Sequence, residues 1–122
     1  MQKQDLIIGA STNYDWNKLK YWINSIKMSG FSGDIALILM NCDKDTVKKV
    51  TDAGFAVVGF NQDAEGNLTY QSQLMVHVER FLHIYNVLRS NEYRYVITTD
   101  VKDVVFQQDP TKFLEEHFHE FI

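Results

Sequence analysis

Asp100 and Asp103 stand three residues apart, with Lys102 between them, directly after the apolar run Tyr95-Val96-Ile97-Thr98-Thr99. Paired carboxylates are hard oxygen ligands suited to Mn²⁺ or Mg²⁺, and an ion so held can bridge to a diphosphate. Without an ion they would repel phosphate oxygens by several kcal/mol per pair at about 4 Å and intermediate dielectric. The chain has ten Asp, so one such spacing is expected by chance. Placement at the end of a buried strand carries the signal, against the plainer role of ordering a turn. A literal Asp-x-Asp, Asp43-Lys44-Asp45, falls where a helix should begin, and there acidic residues cap free amides and favour the helix dipole.

Other polar residues are candidates beside this pair. Arg80 could bind phosphate oxygens or hold Asp100 in place, or form an ordinary intrahelical ion pair. Ser11, Thr12 and Asn13 could hydrogen-bond a nucleoside, or simply end a strand and cap a helix. Lys102 could neutralise phosphate charge. His77, one helical turn before Arg80, is expected to be a surface or packed histidine rather than a ligand. Trp16 is expected to serve the core rather than stack on a sugar, and His117 and His119 are assigned no role. No residue qualifies as a general base, so the catalytic residue is unknown.

These side chains need elements to position them. Leu6–Ala10 is a short continuous apolar run, suited to a strand buried on both faces. Helical spacing follows at Trp16, Leu19, Ile23 and Ile26, stopped near Gly30 and Gly33. Ile35–Met40 is a second buried strand. Asp43 or Asp45 caps a helix carrying Val47 and Val50, which Gly54 ends. Phe55–Phe60 is a third strand and Asn61–Asn67 a polar loop. A long helix is expected over roughly Gln71–Ser90, its apolar stripe being Leu74, Val78, Phe81, Tyr85 and Leu88. Tyr95–Thr99 is the fourth strand, and Asp109-Pro110 opens a last helix.

Strands alternating with helices predict a Rossmann-like, three-layer α/β/α domain with a mostly parallel sheet in the order 3-2-1-4. That order makes the first and fourth strands neighbours. Ligands of such sheets lie where the order reverses, beyond the carboxyl ends of the strands. Ser11-Thr12-Asn13 and Asp100–Asp103 would then share one crevice.

With 122 residues, the chain is long enough for one domain with one core. Its net charge of -4, with Lys and Arg scattered, argues against nucleic acid as a partner. The lone Cys42 excludes an internal disulfide and a cysteine-based metal site. No apolar run is long enough for a membrane span and no signal peptide is visible, so a cytoplasmic protein is expected. The sequon Asn67-Leu68-Thr69 is then taken as chance.

The stretch Tyr95-Val96-Ile97-Thr98-Thr99-Asp100-Val101-Lys102-Asp103-Val104-Val105-Phe106-Gln107-Gln108-Asp109-Pro110 resembles the strand, acidic motif and helix of GT-A glycosyltransferases. The likeness extends from Leu6 to Pro110 as strand order and element lengths. It implies a nucleotide-diphospho-sugar transferase domain, with a UDP-sugar as the first choice of donor and a glycan or other hydroxyl compound as acceptor. It also implies Mn²⁺ or Mg²⁺ at Asp100 and Asp103, donor contacts from Ser11-Thr12-Asn13 and Lys102, and, as in glycogenin-like members, Arg80 reaching the nucleotide sugar. Lys102 stands where the strict motif has its second Asp. GT-A catalytic domains usually run well beyond this length. The expectation is therefore a donor-binding half with little or no transfer alone, whose fourth strand could be an edge that favours a homodimer. A non-catalytic Rossmann-like module that binds a nucleotide or a protein is the alternative. A receiver-like phosphoacceptor would need acidic residues after the first strand, where Ser11-Thr12-Asn13 stands.

Overall fold

The computed structural model describes residues 4–71, 76–101 and 104–117, with the side chains of 76 and 77 left aside. The chain runs β1 (Gln4–Thr12), α1 (Trp16–Ser29), β2 (Asp34–Met40), α2 (Lys44–Asp52), β3 (Ala56–Val58), β4 (Asn61–Gln62), β5 (Leu68–Thr69), α3 (Val76–Arg89), β6 (Tyr93–Thr99) and α4 (Pro110–His117). Lys102, Asp103, Leu74 and His119 lie outside the described residues, and so does the side chain of His77.

β1, β2, β3 and β6 form one sheet in the order β3-β2-β1-β6, with all three pairings parallel. The inserted β4-β5 pair is antiparallel and forms its own two-stranded sheet; β4 lies in the stretch expected to be a polar loop, and β5 follows directly after it. β1 lies between two partners and is buried over Asp5–Ile8, as its unbroken apolar run requires. β6 is the outer strand on its side, and its residues alternate between half-buried and exposed.

The two faces of the sheet bury different residues. Ile7, Leu37 and Leu39 pack with Leu19, Trp22, Ile23 and Ile26 of α1 and Val50 of α2. Leu6, Ile8, Ala36, Ile38 and Met40 pack on the other side with Ile84 of α3. Each large side chain so buried contributes roughly 1.5–3 kcal/mol. Local signals set the helix limits. Asp15 caps α1 by accepting from Lys18 N, and Gly30 ends it at φ 82°. Asp43 caps α2, with Asp45 in its first turn. Asp109 Oδ1 accepts from Thr111 N at the start of α4, 2.9 Å away.

One expectation fails on α3. Val78, Phe81 and Tyr85, expected to face the core, are 50%, 58% and 60% exposed. Leu88 of the expected stripe does pack against the sheet side, but with Ile84 and Val87 rather than with those three. The helix carries two apolar stripes, and the rotation adopted lets its polar residues find partners: Glu79 and His83 at Tyr70, and Arg80 at Asp100.

After β6 the chain turns back over the α1 side, where Val101 is buried and Val104 and Phe106 pack against the same cluster. Gly9 of β1 makes room for this path, because a Cβ there would sit 2.5 Å from Val101 Cγ1 and 3.2 Å from Trp22 Cζ2. The descent ends at α4, which buries no residue of its own. A polar clamp holds it. Asp5 accepts from Arg94 Nε and Nη2 at 2.9 and 2.8 Å and from Thr111 Oγ1 at 3.0 Å, while Arg94 also pairs with Glu115.

Candidate functional site

β1 and β6 are neighbours whose helical connections lie on opposite faces: α1 follows β1 on one side, and α3 precedes β6 on the other. Beyond their carboxyl ends the two chains diverge, which opens a crevice at the strand tips. A pocket of about 190 Å³ lies there, lined by Ala10, Arg80, Phe81, Ile84, Thr98, Thr99 and Asp100.

Each wall follows from a local cause. Thr98 is in register with Ile8, so by strand alternation Thr98 and Asp100 share the α3 side while Val101 turns to the core on the other. Thr99 Oγ1 donates to Asp100 O at 2.6 Å. Arg80 reaches down from α3, and its Nη1 donates to Asp100 Oδ1 at 2.8 Å. The pair is only partly screened from water, the side chains being 33% and 64% exposed. Arg80 Nε is buried and has no acceptor among the described residues, while its guanidinium carbon lies 4.9 Å from the Phe81 ring centroid. Arg80 and Asp100, coupled in the sequence only by expectation, thus meet in one pocket.

Ser11, Thr12 and Asn13 follow Ala10 directly but are not among the described lining of this pocket. Ser11 is buried and Thr12 half-buried, both within β1 and paired with β2. Asn13 has φ 61° and donates its N–H to Met40 O and Asn41 O. It lines a separate cleft of about 390 Å³ with Tyr14, Asp15, Asn41, Cys42, Asp43, Asn67 and Leu68. This cleft sits where α1 and α2 begin, and Asp43 serves there as a cap: its Oδ1 accepts from Thr46 N at 2.8 Å and its Oδ2 from Thr46 Oγ1 at 3.0 Å. These bonds hold the Asp43 carboxyl below its usual range. Asn67 is also structural, accepting from Lys44 N and donating to Asp63 Oδ2. Burial first, and then the charges of Asp43 and Asp15, push the Cys42 thiol up to about 11.

Two clusters were not legible beforehand. Tyr70 donates its hydroxyl to buried Glu79 Oε2 and lies 2.8 Å from His83 Nε2, with the Phe60 ring tilted against His83 at 4.2 Å between centroids. The hydrogen bond to Glu79 raises the Tyr70 phenol. This cluster pins the end of the β4-β5 hairpin to α3. The second is the Asp5 clamp, whose carboxyl is lowered chiefly by the Arg94 hydrogen bond, against the opposing effect of burial. Neither carries a sequence signal, since the bonds from Tyr70 and to Asp5 that build them span 9 to 106 residues.

Among the described residues, no group of three His, Cys, Asp or Glu side chains gathers as a metal cage. Nor is any helix among them long and apolar enough to cross a membrane. No family model and no curated protein matches the chain.

Proposed function

We propose that the chain is a three-layer, Rossmann-like donor-binding domain of the GT-A type. It would take a nucleoside-diphosphate sugar, with a UDP-sugar as first choice, for transfer to a hydroxyl of a glycan or similar acceptor. The observation that carries this reading is Arg80 held against Asp100 at the divergence of β1 and β6. A cation-seeking carboxylate and an anion-seeking guanidinium side by side suit a metal-bound diphosphate better than either ligand alone.

The donor set fits a hard cation within limits. Asp100 offers one exposed carboxylate beside Thr98 and Thr99. Mg²⁺ and Mn²⁺ commonly bind through one or two carboxylates and complete their shell with water and substrate phosphate. Asp103 is the second proposed ligand and Lys102 a proposed phosphate contact. When bound, such an ion acts as a Lewis acid on the diphosphate leaving group. Arg80 would add fixed positive charge where that group departs.

The pocket is smaller than the roughly 300–1,000 Å³ usual for small-molecule sites, which suits the diphosphate but not a whole donor. The nucleoside would extend along the strand tips toward Asn13, three residues beyond Ala10 and on the order of 10 Å away along an extended chain. The small size is also what favours the second reading, a non-catalytic module that binds nucleotide or protein.

Calorimetry with UDP, GDP and CDP, each with and without Mn²⁺, tests the proposal. Binding of one diphosphate that strengthens with Mn²⁺ is expected. Absence of binding in every combination, from protein with an intact circular dichroism spectrum, would refute it.

A further inference from the structure

We infer that the Arg80–Asp100 ion pair is a self-neutralising lock on this pocket, through which a divalent cation and an anionic nucleotide each promote binding of the other. The inference rests on the donor-site reading and concerns how that site is regulated. Arg80 Nη1 is committed to Asp100 Oδ1 at 2.8 Å, so the group that would receive phosphate already holds a carboxylate. Asp100, which would receive a cation, already holds a guanidinium. A nucleotide arriving alone must compete with Asp100 for Arg80 and also meets the charge of the carboxylate. A cation arriving alone must compete with Arg80.

When one ligand binds, the other's partner is released. By linkage the enhancement is reciprocal: whatever factor the cation adds to nucleotide affinity, the nucleotide adds to cation affinity. Arg80 is equipped for the exchange. Its Nε is buried without an acceptor among the described residues, so an anion at this point would satisfy a donor that those residues leave unpaired. The pair is partly open to water, which keeps its strength modest and the lock reversible.

The reading predicts a gain of function that a purely structural ion pair would not give. Asp100→Asn removes the competing carboxylate charge while keeping a similar shape. UDP affinity in excess EDTA should rise about 3- to 10-fold over the parent, and added Mn²⁺ should no longer improve it. Arg80→Gln should bind Mn²⁺ alone more tightly, by paramagnetic resonance titration, and UDP more weakly. Circular dichroism and melting curves confirm that both variants fold, and Asp100→Ala provides a second carboxylate-free form. A parent that binds UDP with Mn²⁺, combined with Asp100 variants showing unchanged or weaker metal-free affinity, overturns the lock and leaves the donor site standing. A parent that binds no nucleotide removes both.

Discussion

Asp5 is charged, almost wholly buried and fully partnered: two bonds from Arg94, one from Thr111 Oγ1 and one from Tyr95 N. Removing it leaves Arg94 with Glu115 alone among the described residues and takes the acceptor from Thr111 Oγ1, so Asp5→Ala should cost about 1–3 kcal/mol in urea denaturation. The carboxyl is held below its ordinary value in the folded protein. Its contribution is therefore complete above the unfolded value, near pH 4, and is lost as pH falls through the lower folded value. Asp43 acts in the same direction through its cap. Stability should therefore decline below about pH 4, and Asp5→Asn should flatten that decline. Cys42 gives a second residue-level expectation. With its thiol near 11 and buried, it should resist iodoacetamide at pH 8 in the native protein and react once the protein is unfolded. Rapid native labelling would contradict the burial described.

At the scale of elements, α3 offers the sharpest contrast. Ile84 faces the sheet, whereas Tyr85, the next residue, is mostly in water. Ile84→Ala should lower stability by about 2–4 kcal/mol, and Tyr85→Ser should change it by no more than about 0.5 kcal/mol. Equal losses would mean that the helix is rotated differently. β1 supplies a further test at Gly9. Ala there would press on Val101 and Trp22, and an overpacked core costs about 1–3 kcal/mol. Because Val101 adjoins Asp100, Gly9→Ala should also weaken nucleotide binding, whereas a change elsewhere in the core with the same stability loss should not.

The elements differ in how far the sequence disclosed them. β1 and β2 were legible because strands buried on both faces are written as unbroken apolar runs. A cap at Asp43 or Asp45, the cap Asp109 and the stop near Gly30 and Gly33 were legible because they act over two to four residues. The rotation of α3 was not, because Leu74-Val78-Phe81-Tyr85-Leu88 is as regular a stripe as the one through Ile84. The choice was made by partners outside the helix, Tyr70 and Asp100. Phe55–Phe60 shrank to the three residues of β3 because only Ala56, Val57 and Val58 find register partners on β2. The meeting of Arg80 with Asp100 was foreseen as one of several roles for Arg80. The separation of Asn13 into another cleft was not, since spacing along β1 cannot show which cleft a residue lines.

Over the whole molecule, stability should be unevenly distributed. The two buried clusters meet across β1 and β2, while α4 is held by polar contacts and buries nothing. Hydrogen exchange should therefore be slowest in β1 and β2 and fastest among the helices in α4. Uniform protection would show that α4 shares the global unfolding unit.

The clamp at the foot of the sheet also bears on how the chain is made. Its acidic member leaves the ribosome well before its partners at 94 and 111, which emerge only after the strands and helices between them. Until then the opening strand lacks both its outer neighbour and the tie that fixes its foot. Closing a loop of this length is entropically slow to reward. The sheet is therefore expected to close only once β6 and α4 have emerged, with β1 and β2 already paired before them.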